Sequence, residues 1–482
     1  MFHRLFKGFC EYKLYIILLV LIICFTLITG FNGLYGQDSY EYLRFTSALI
    51  EFAKHGVDPG KDYWPVLYPI CGILFSVFFK PLLALQLISV ISLVLSGIYL
   101  EKILKIAYNA DIKIIRLFVF LFFLVSPYLL RASLTVMADS LCLLFITAAW
   151  YCFLKYKEEK SNLFFVGFVI LAASAVATRY AAFVVIIIPA VYIAYYFFKK
   201  FSLKSFLLAG SAVSFILLPY IIIHKSSSTD FFDLWLQGWS YKNLIHSDFY
   251  TADGHQVYTF PNGIFCLFNL FHPAYCFAGV LFLAASLKTF LKNGASTVQW
   301  IFIMSLLLYA FFLAGLPFQD LRHLILSFTS VVILFFPGFK LIYNLLTNTK
   351  PGIVKPLLLV CLVIQLALFY RVFIPFYKYN KMEKQISEEV LKYNNSTLYT
   401  FSIDAAVLHY GYQGKIINMW EVKVDTFPAI HEDALLLFNE KQFSEIWKNR
   451  NPMINWYYLK AKYKLTKLSD LPDNWELYLL VH

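Results

Sequence analysis

The sharpest chemical candidate in the sequence is Asp38, in the segment Gly36-Gln37-Asp38-Ser39-Tyr40-Glu41-Tyr42, a few residues after a long apolar run. If that segment is helical, Asp38, Glu41 and Tyr42 share one face through i, i+3 and i+4 spacing. Asp38 would then present a carboxylate at a membrane surface, where a lipid headgroup can meet a water-soluble acceptor. The plainer reading is an acidic residue favoured at a helix N-terminus. Four more charges stand at the ends of apolar runs: Arg131, Asp139, Arg179 and Arg322. A charge there is costly unless it is paired or hydrated, and three guanidiniums on one side could converge on a phosphate, which they bind bidentately. Helix capping by Asp139 and snorkelling of the arginines are the plainer alternatives.

These residues need elements to hold them, and the composition says which kind. Of 482 residues, 60 % are hydrophobic and only 15 % charged, against about 45–50 % and 25 % in soluble domains. Disorder, fibres and disulfide scaffolds are excluded, leaving a polytopic membrane protein. Eleven spans are expected: 14–31, 82–100, 114–130, 137–154, 163–178, 181–198, 206–223, 274–291, 298–316, 324–346 and 357–374. The stretch 163–198 is cut by Arg179 and could also form one tilted helix. Each run approaches the ~20 residues that cross a bilayer core.

The net charge of +12 is an orientation signal rather than a nucleic-acid footprint. With the N-terminus inside, the short cytoplasmic segments hold 18 Lys and Arg against 10 outside before residue 372. Eleven spans then put residues 376–482 outside the cytoplasm, with 1–375 as the membrane domain. Two outer loops are large, 32–81 and 224–272. Within the first, Trp64–Phe79 reads as a helix lying in the interface. Beyond Phe376, strand-like stretches 398–403, 459–465 and 475–481 and a helix-like stretch 441–450 predict a small α/β domain. The eight cysteines all fall in or beside apolar runs, where they read as small hydrophobes. His224, His246, His255 and His272 lack metal-ligand spacing. Trp235, Trp239 and Tyr241 of the second loop could stack on a sugar.

Several motifs together resemble the GT-C superfamily of membrane glycosyltransferases, in particular the protein O-mannosyltransferase and lipid A aminoarabinose transferase branch. They are Asp38-Ser39-x-x-Tyr42, Gly56-x-x-Pro59, Trp64-Pro65-Val66-Leu67-Tyr68-Pro69, Ser126-Pro127 followed by Asp139, Thr178-Arg179 and Arg322-His323. The resemblance implies an α-helical polytopic membrane protein of GT-C type with a small extracytoplasmic α/β C-terminal domain. It implies transfer of a sugar, with inversion, from a polyprenyl-phosphate donor to an extracytoplasmic lipid, glycan or protein. Asp38 would be the general base, and Arg179 or Arg322 would hold the lipid phosphate. Glu41, Tyr42, Tyr68, Arg131, Asp139, Arg179 and Arg322 form the expected donor- and acceptor-binding set. Ser39 and Val66 depart from the family, which often has Glu and Pro there.

The expected partners are the lipid-linked sugar, the acceptor and membrane lipid, with no nucleic acid. The expected location is a bacterial plasma membrane. No cofactor is expected, and a divalent metal is the one addition this chemistry leaves open. A surface-polysaccharide polymerase or ligase is the enzyme alternative. A transporter or flippase fits less well, because the ionisable residues stand at span ends rather than span centres.

Overall fold

The computed structural model describes residues 2–60, 64–223, 238–251, 254–269, 271–427 and 434–481. The chain divides into two compact units. The first comprises Met1–Gly33, Phe45–His246 and Phe260–Phe373; the second comprises Leu34–Arg44, Ser247–Thr259 and Ile374–His482.

The first unit is helical. Its elements are α1 (Phe2–Thr29), the end of α2 (Gly36–His55), α3 (Leu67–Ser76), α4 (Pro81–Tyr108), α5 (Ile112–Val119), α6 (Pro127–Leu134), α7 (Asp139–Glu159) and α8 (Asn162–Thr178). They continue with α9 (Ala182–Lys199), α10 (Leu203–Ile223), α11 (Asn262–Asn269), α12 (Gly279–Asn293), α13 (Thr297–Ala314), α14 (Phe328–Thr349) and the start of α15 (Pro351–Val390). Every expected span falls on one of these helices or on a bent pair. Six helices among the described residues are long and apolar enough to cross a membrane, and up to eight if two bent pairs count as spans; this count does not confirm the expected eleven. Lys13–Thr29 and Asn162–Thr178 are apolar but shorter.

Local chemistry explains the breaks. Pro127 excludes Ser126 from the helical region, so Ser126 is extended (φ −58°, ψ 126°) and α6 leaves the preceding helix at 65°. Arg179 is also extended (φ −151°, ψ 120°), which resolves 163–198 into two helices rather than one. Trp64–Phe79 yields the ten-residue α3, too short to cross a bilayer.

The core near α12 and α14 is aromatic, with Phe118, Phe122, Phe282 and Phe339 in edge-to-face and tilted contact. It depends on close backbone approach at Gly338, as small residues allow between membrane helices. A Cβ on Gly338 would sit 2.0 Å from the Phe282 carbonyl oxygen and 2.9 Å from the Ser286 nitrogen. Backbone atoms cannot rotate away. Gly338→Ala is thus expected to destabilise by about 3 kcal/mol or more, at or beyond the top of the usual overpacking range. A clear loss of Tm in monodisperse detergent-solubilised protein is the measurement; an unchanged Tm would refute the packing.

The second unit holds a five-stranded mixed sheet, ordered β4 (Ile416–Asn418), β3 (Leu398–Thr400), β5 (Ala434–Phe438), β7 (Glu476–Val481) and β6 (Lys464–Asp470). A separate hairpin pairs β1 (Asp248–Thr251) with β2 (Gly254–Val257). β3 runs parallel to β4 and β5, while β7 is antiparallel to β5 and β6. β5 is buried along its whole length, as expected of an apolar central strand. Its helices are α16 (Asp404–His409), α17 (Glu440–Ile446) and α18 (Asn451–Lys462). The small α/β domain expected from the sequence is therefore present. Its details differ: the stretch 459–465 is mostly the end of α18, with the strand starting at Lys464, and 441–450 is helical only to Ile446. Strands β4 and β5 had not been anticipated.

Candidate functional site

In the helical unit three arginines come from three different elements, Arg131 and Arg322 both acting on Asp320 and Arg179 and Arg322 both acting on His323. Arg131 lies on α6, directed by the Ser126-Pro127 break, and its guanidinium stands over the Tyr128 ring at 4.6 Å. The break is fixed by Ser126, whose hydroxyl donates to the Tyr275 carbonyl at 2.8 Å. Arg179 occupies the extended residue between α8 and α9 and pairs through Nη1 with the Asp139 carboxylate. Asp139 opens α7, where the helix dipole favours negative charge. It does not cap the helix: Ala138 holds the cap position, with no side-chain cap bond. The carboxylate and guanidinium are both largely buried, at 3 % and 12 % exposure.

Arg322 belongs to a 3-10 turn, Leu321–Ser327, which Asp320 starts by accepting the Arg322 N–H at 2.9 Å. The same carboxylate stands 3.5 Å from Arg322 Nε, and Arg322 Nη1 meets Met137 Sδ at 3.1 Å. Two tyrosines hold the turn by its backbone. Tyr275 donates its hydroxyl to the Leu321 carbonyl, and Tyr309 donates to the His323 carbonyl at 2.7 Å. Enclosure works to raise the Asp320 pKa, but Arg322, His323, the Arg322 N–H and Arg131 outweigh it and hold the carboxyl below its ordinary range. Three guanidiniums thus face two carboxylates, a net positive cluster suited to an anion.

Asp38 lies in the second unit, half-buried in the first turn of α2. The helix predicted over this segment is present, so Asp38, Glu41 and Tyr42 do share a face. Glu41 is bound to Arg44 at 2.7 Å, and Tyr42 is buried. The turn is unusually well held. Tyr35 stacks on Phe376 at 3.7 Å. Ser39 is fully buried; its hydroxyl accepts from the Tyr35 N–H at 2.6 Å and lies 2.9 Å from the Tyr35 carbonyl. The Gly36 N–H donates to Glu383 Oε2 at 3.4 Å, and Gln37 Nε2 donates to Asp404 Oδ2 at 3.2 Å. Gly36 itself has φ +62°, a backbone state that glycine adopts without strain.

Tyr68 is fully buried, its hydroxyl on the Leu85 carbonyl at 3.0 Å and beside Ser89 Oγ at 2.9 Å; it anchors α3 to α4. Trp239 packs against α13, with Nε1 donating to the Phe312 carbonyl at 3.0 Å. His224 and Trp235 lie outside the described residues. Among the described residues no three His, Cys, Asp or Glu side chains gather as a metal-binding group. Sequence reasoning missed Asp320, Tyr275 and Tyr309 as supports of Arg322. It also missed Glu383 and Asp404, which bind Gly36 and Gln37: Glu383 sits in a charge-dense stretch and Asp404 is a single acidic residue in an apolar one.

By sequence, no family model matches the chain and no curated protein aligns with it. By structure, ArnT from Cupriavidus metallidurans bound to undecaprenyl phosphate matches with a TM-score of 0.64 at 9 % identity, over 95 % of this chain and 97 % of ArnT. Its apo state gives 0.59. The fold is GT-C. The oligosaccharyltransferase of Archaeoglobus fulgidus tethered with an acceptor peptide also matches, at a TM-score of 0.52 and 13 % identity, over 98 % of this chain and 74 % of that one.

Proposed function

We propose that the chain is an integral membrane glycosyltransferase that moves a sugar from a polyprenyl-phosphate carrier to an extracytoplasmic acceptor, inverting the anomeric centre. The observation that carries this reading is that Arg131 and Arg322 both act on Asp320 while Arg179 and Arg322 both act on His323, in a chain with the fold of ArnT, a protein seen with undecaprenyl phosphate. In the reaction the acceptor oxygen attacks the anomeric carbon, and the carbon–oxygen bond to phosphate breaks with its electron pair passing to phosphate. Arg131 and Arg322 stabilise that developing charge. Arg179, held by Asp139, contributes its field. Asp38 takes the acceptor proton as general base. No organic cofactor enters the scheme. The distribution of basic residues supports a cytoplasmic N-terminus in a bacterial plasma membrane, with residues 1–375 as the transferase domain and 376–482 outside.

Mass spectrometry of envelope lipids, glycans and proteins from cells lacking the chain, against complemented cells, tests this directly. A single acceptor class lighter by one sugar residue in the deletion is expected; identical profiles would overturn the proposal. The phosphate role has a separate readout. Undecaprenyl phosphate should raise the Tm of the purified protein by mass action, and Arg131→Gln should weaken that binding about 10- to 100-fold, the worth of one charged hydrogen bond. Equal stabilisation of both proteins would remove Arg131 from the site.

A further inference from the structure

The turn carrying Asp38 is gripped by two carboxyl groups for which the reaction scheme has no use. Glu383 lies on α15, which at 40 residues is about 60 Å long, twice the ~30 Å bilayer core. The helical unit ends at Phe373, and Glu383 lies beyond it, in the sheet unit. It is 1 % exposed and accepts the N–H of Gly36, two residues before Asp38. Its other oxygen, Oε1, has no hydrogen-bond partner among the described residues. Asp404, on α16, accepts from Gln37, the residue before Asp38, and from Asn418 Nδ2 at 3.1 Å. A carboxyl buried this way costs free energy unless it does something for its partners, and both partners here flank the proposed base.

We propose that Glu383 and Asp404 are positioning residues for the general base: they clamp the backbone and side chain immediately preceding Asp38 and so fix the direction of its carboxylate. This rests on Asp38 being the base. It assigns the C-terminal domain a part in the reaction, since Asp404 and Asn418 come from that domain's own helix and strand.

The clamp is also sensitive to pH. Burial pushes the Glu383 carboxyl up to about 8, against smaller lowering effects of the Gly36 N–H and Tyr40. The groups that face it are Gly36 and Tyr40 on α2 and Tyr379 on its own helix. Tyr410 and His409, beyond the end of α16 and within it, lie against Tyr40. Burial likewise pushes Asp404 up to about 6, with Glu41 and Glu421 adding to the effect. A carboxyl whose pKa is raised in the closed turn binds its proton more tightly there than in an open one. The closed turn is therefore favoured at low pH and loosens as pH rises from the ordinary glutamate range towards about 8.

Hydrogen–deuterium exchange of the full chain in lipid nanodiscs reads this without any substrate. After correction for intrinsic exchange, wild-type amides of residues 36–40 should open about tenfold more readily per pH unit between pH 6 and 7. Glu383→Gln keeps an acceptor oxygen but does not itself titrate, so its exchange should stay near the pH 6 wild-type level and be flat between pH 7 and 8, above the titration of Asp404. Glu383→Ala should exchange at least tenfold faster at every pH while β5 keeps its protection, and Asp404→Asn should accelerate residues 36–38. Wild-type exchange in Glu383→Ala, or a pH response retained in Glu383→Gln between pH 7 and 8, would overturn the clamp. Should Glu383→Ala unfold the unit, the flat profile of Glu383→Gln decides alone. Activity separates the two claims. If Asp38→Asn transfers sugar normally while Glu383→Ala loosens the turn, the clamp stands and the base assignment fails. With both correct, Glu383→Ala lowers kcat and leaves KM for the lipid-linked donor unchanged.

Discussion

Asp38→Asn is expected to cut sugar transfer by two to four powers of ten, the usual contribution of a positioned general base, while the protein inserts and purifies as wild type. Asparagine keeps the shape of the side chain and loses only the ability to take a proton, so a fall in rate isolates that step. The turn around Asp38 has several other holds. The backbone before Asp38 is held through Gly36 and Gln37, and the next residue, Ser39, ties the turn to Tyr35. None of these contacts uses the Asp38 carboxylate. The measurement is the rate at which the acceptor identified by its mass shift is glycosylated in membranes carrying either protein. Equal rates would show that another group, or water, removes the proton.

The largest effect on stability is expected at Arg179. Replacing it with Leu leaves Asp139, 3 % exposed, as a charge without its guanidinium in a low-dielectric surrounding. Breaking a buried pair on one side costs about 3–5 kcal/mol, and Tm should fall accordingly. The double variant Asp139→Leu/Arg179→Leu removes both charges and should recover most of that loss, since a buried pair contributes little over an apolar replacement. It should nevertheless bind undecaprenyl phosphate more weakly than wild type, because the anion site has lost one of its guanidiniums. Recovery of stability without recovery of binding would separate the structural duty of Arg179 from its electrostatic one. If the double variant were as unstable as the single one, the ion pair would not be the source of the loss.

How far the sequence carried these conclusions depends on the range of the interaction concerned. The helical positions were legible because each is written in a continuous apolar run, and the Arg179 break was visible as a charge, whereas the bend at Ser126-Pro127 falls inside the expected span 114–130. The neighbourhood of Arg131, Arg179 and Arg322 could be anticipated only as a coincidence of side and depth. The contacts that aim them, Tyr275 and Tyr309 onto the backbone of the 3-10 turn, join residues 46 and 14 positions apart and leave no periodic trace. Glu383 was illegible for a stronger reason. It sits in Lys381-Met382-Glu383-Lys384, which reads as a solvated helix face, and only the tertiary fold shows that it is buried against Gly36. Strand β5, by contrast, is a short apolar run, Ala434–Phe438, that no alternation separates from a helix turn.

The manner in which the Arg322 turn is held has a consequence for its capacity to vary. Its two tyrosine contacts grasp peptide carbonyls, those of Leu321 and His323, and not side chains. Every amino acid supplies a carbonyl, so these two bonds survive any substitution at 321 or 323, whereas the loss of either distant phenol would dissolve one of them. The inheritance of this turn is thus written away from the turn itself. A graft of residues 320–323 into another scaffold would carry the guanidinium across and leave its aim behind.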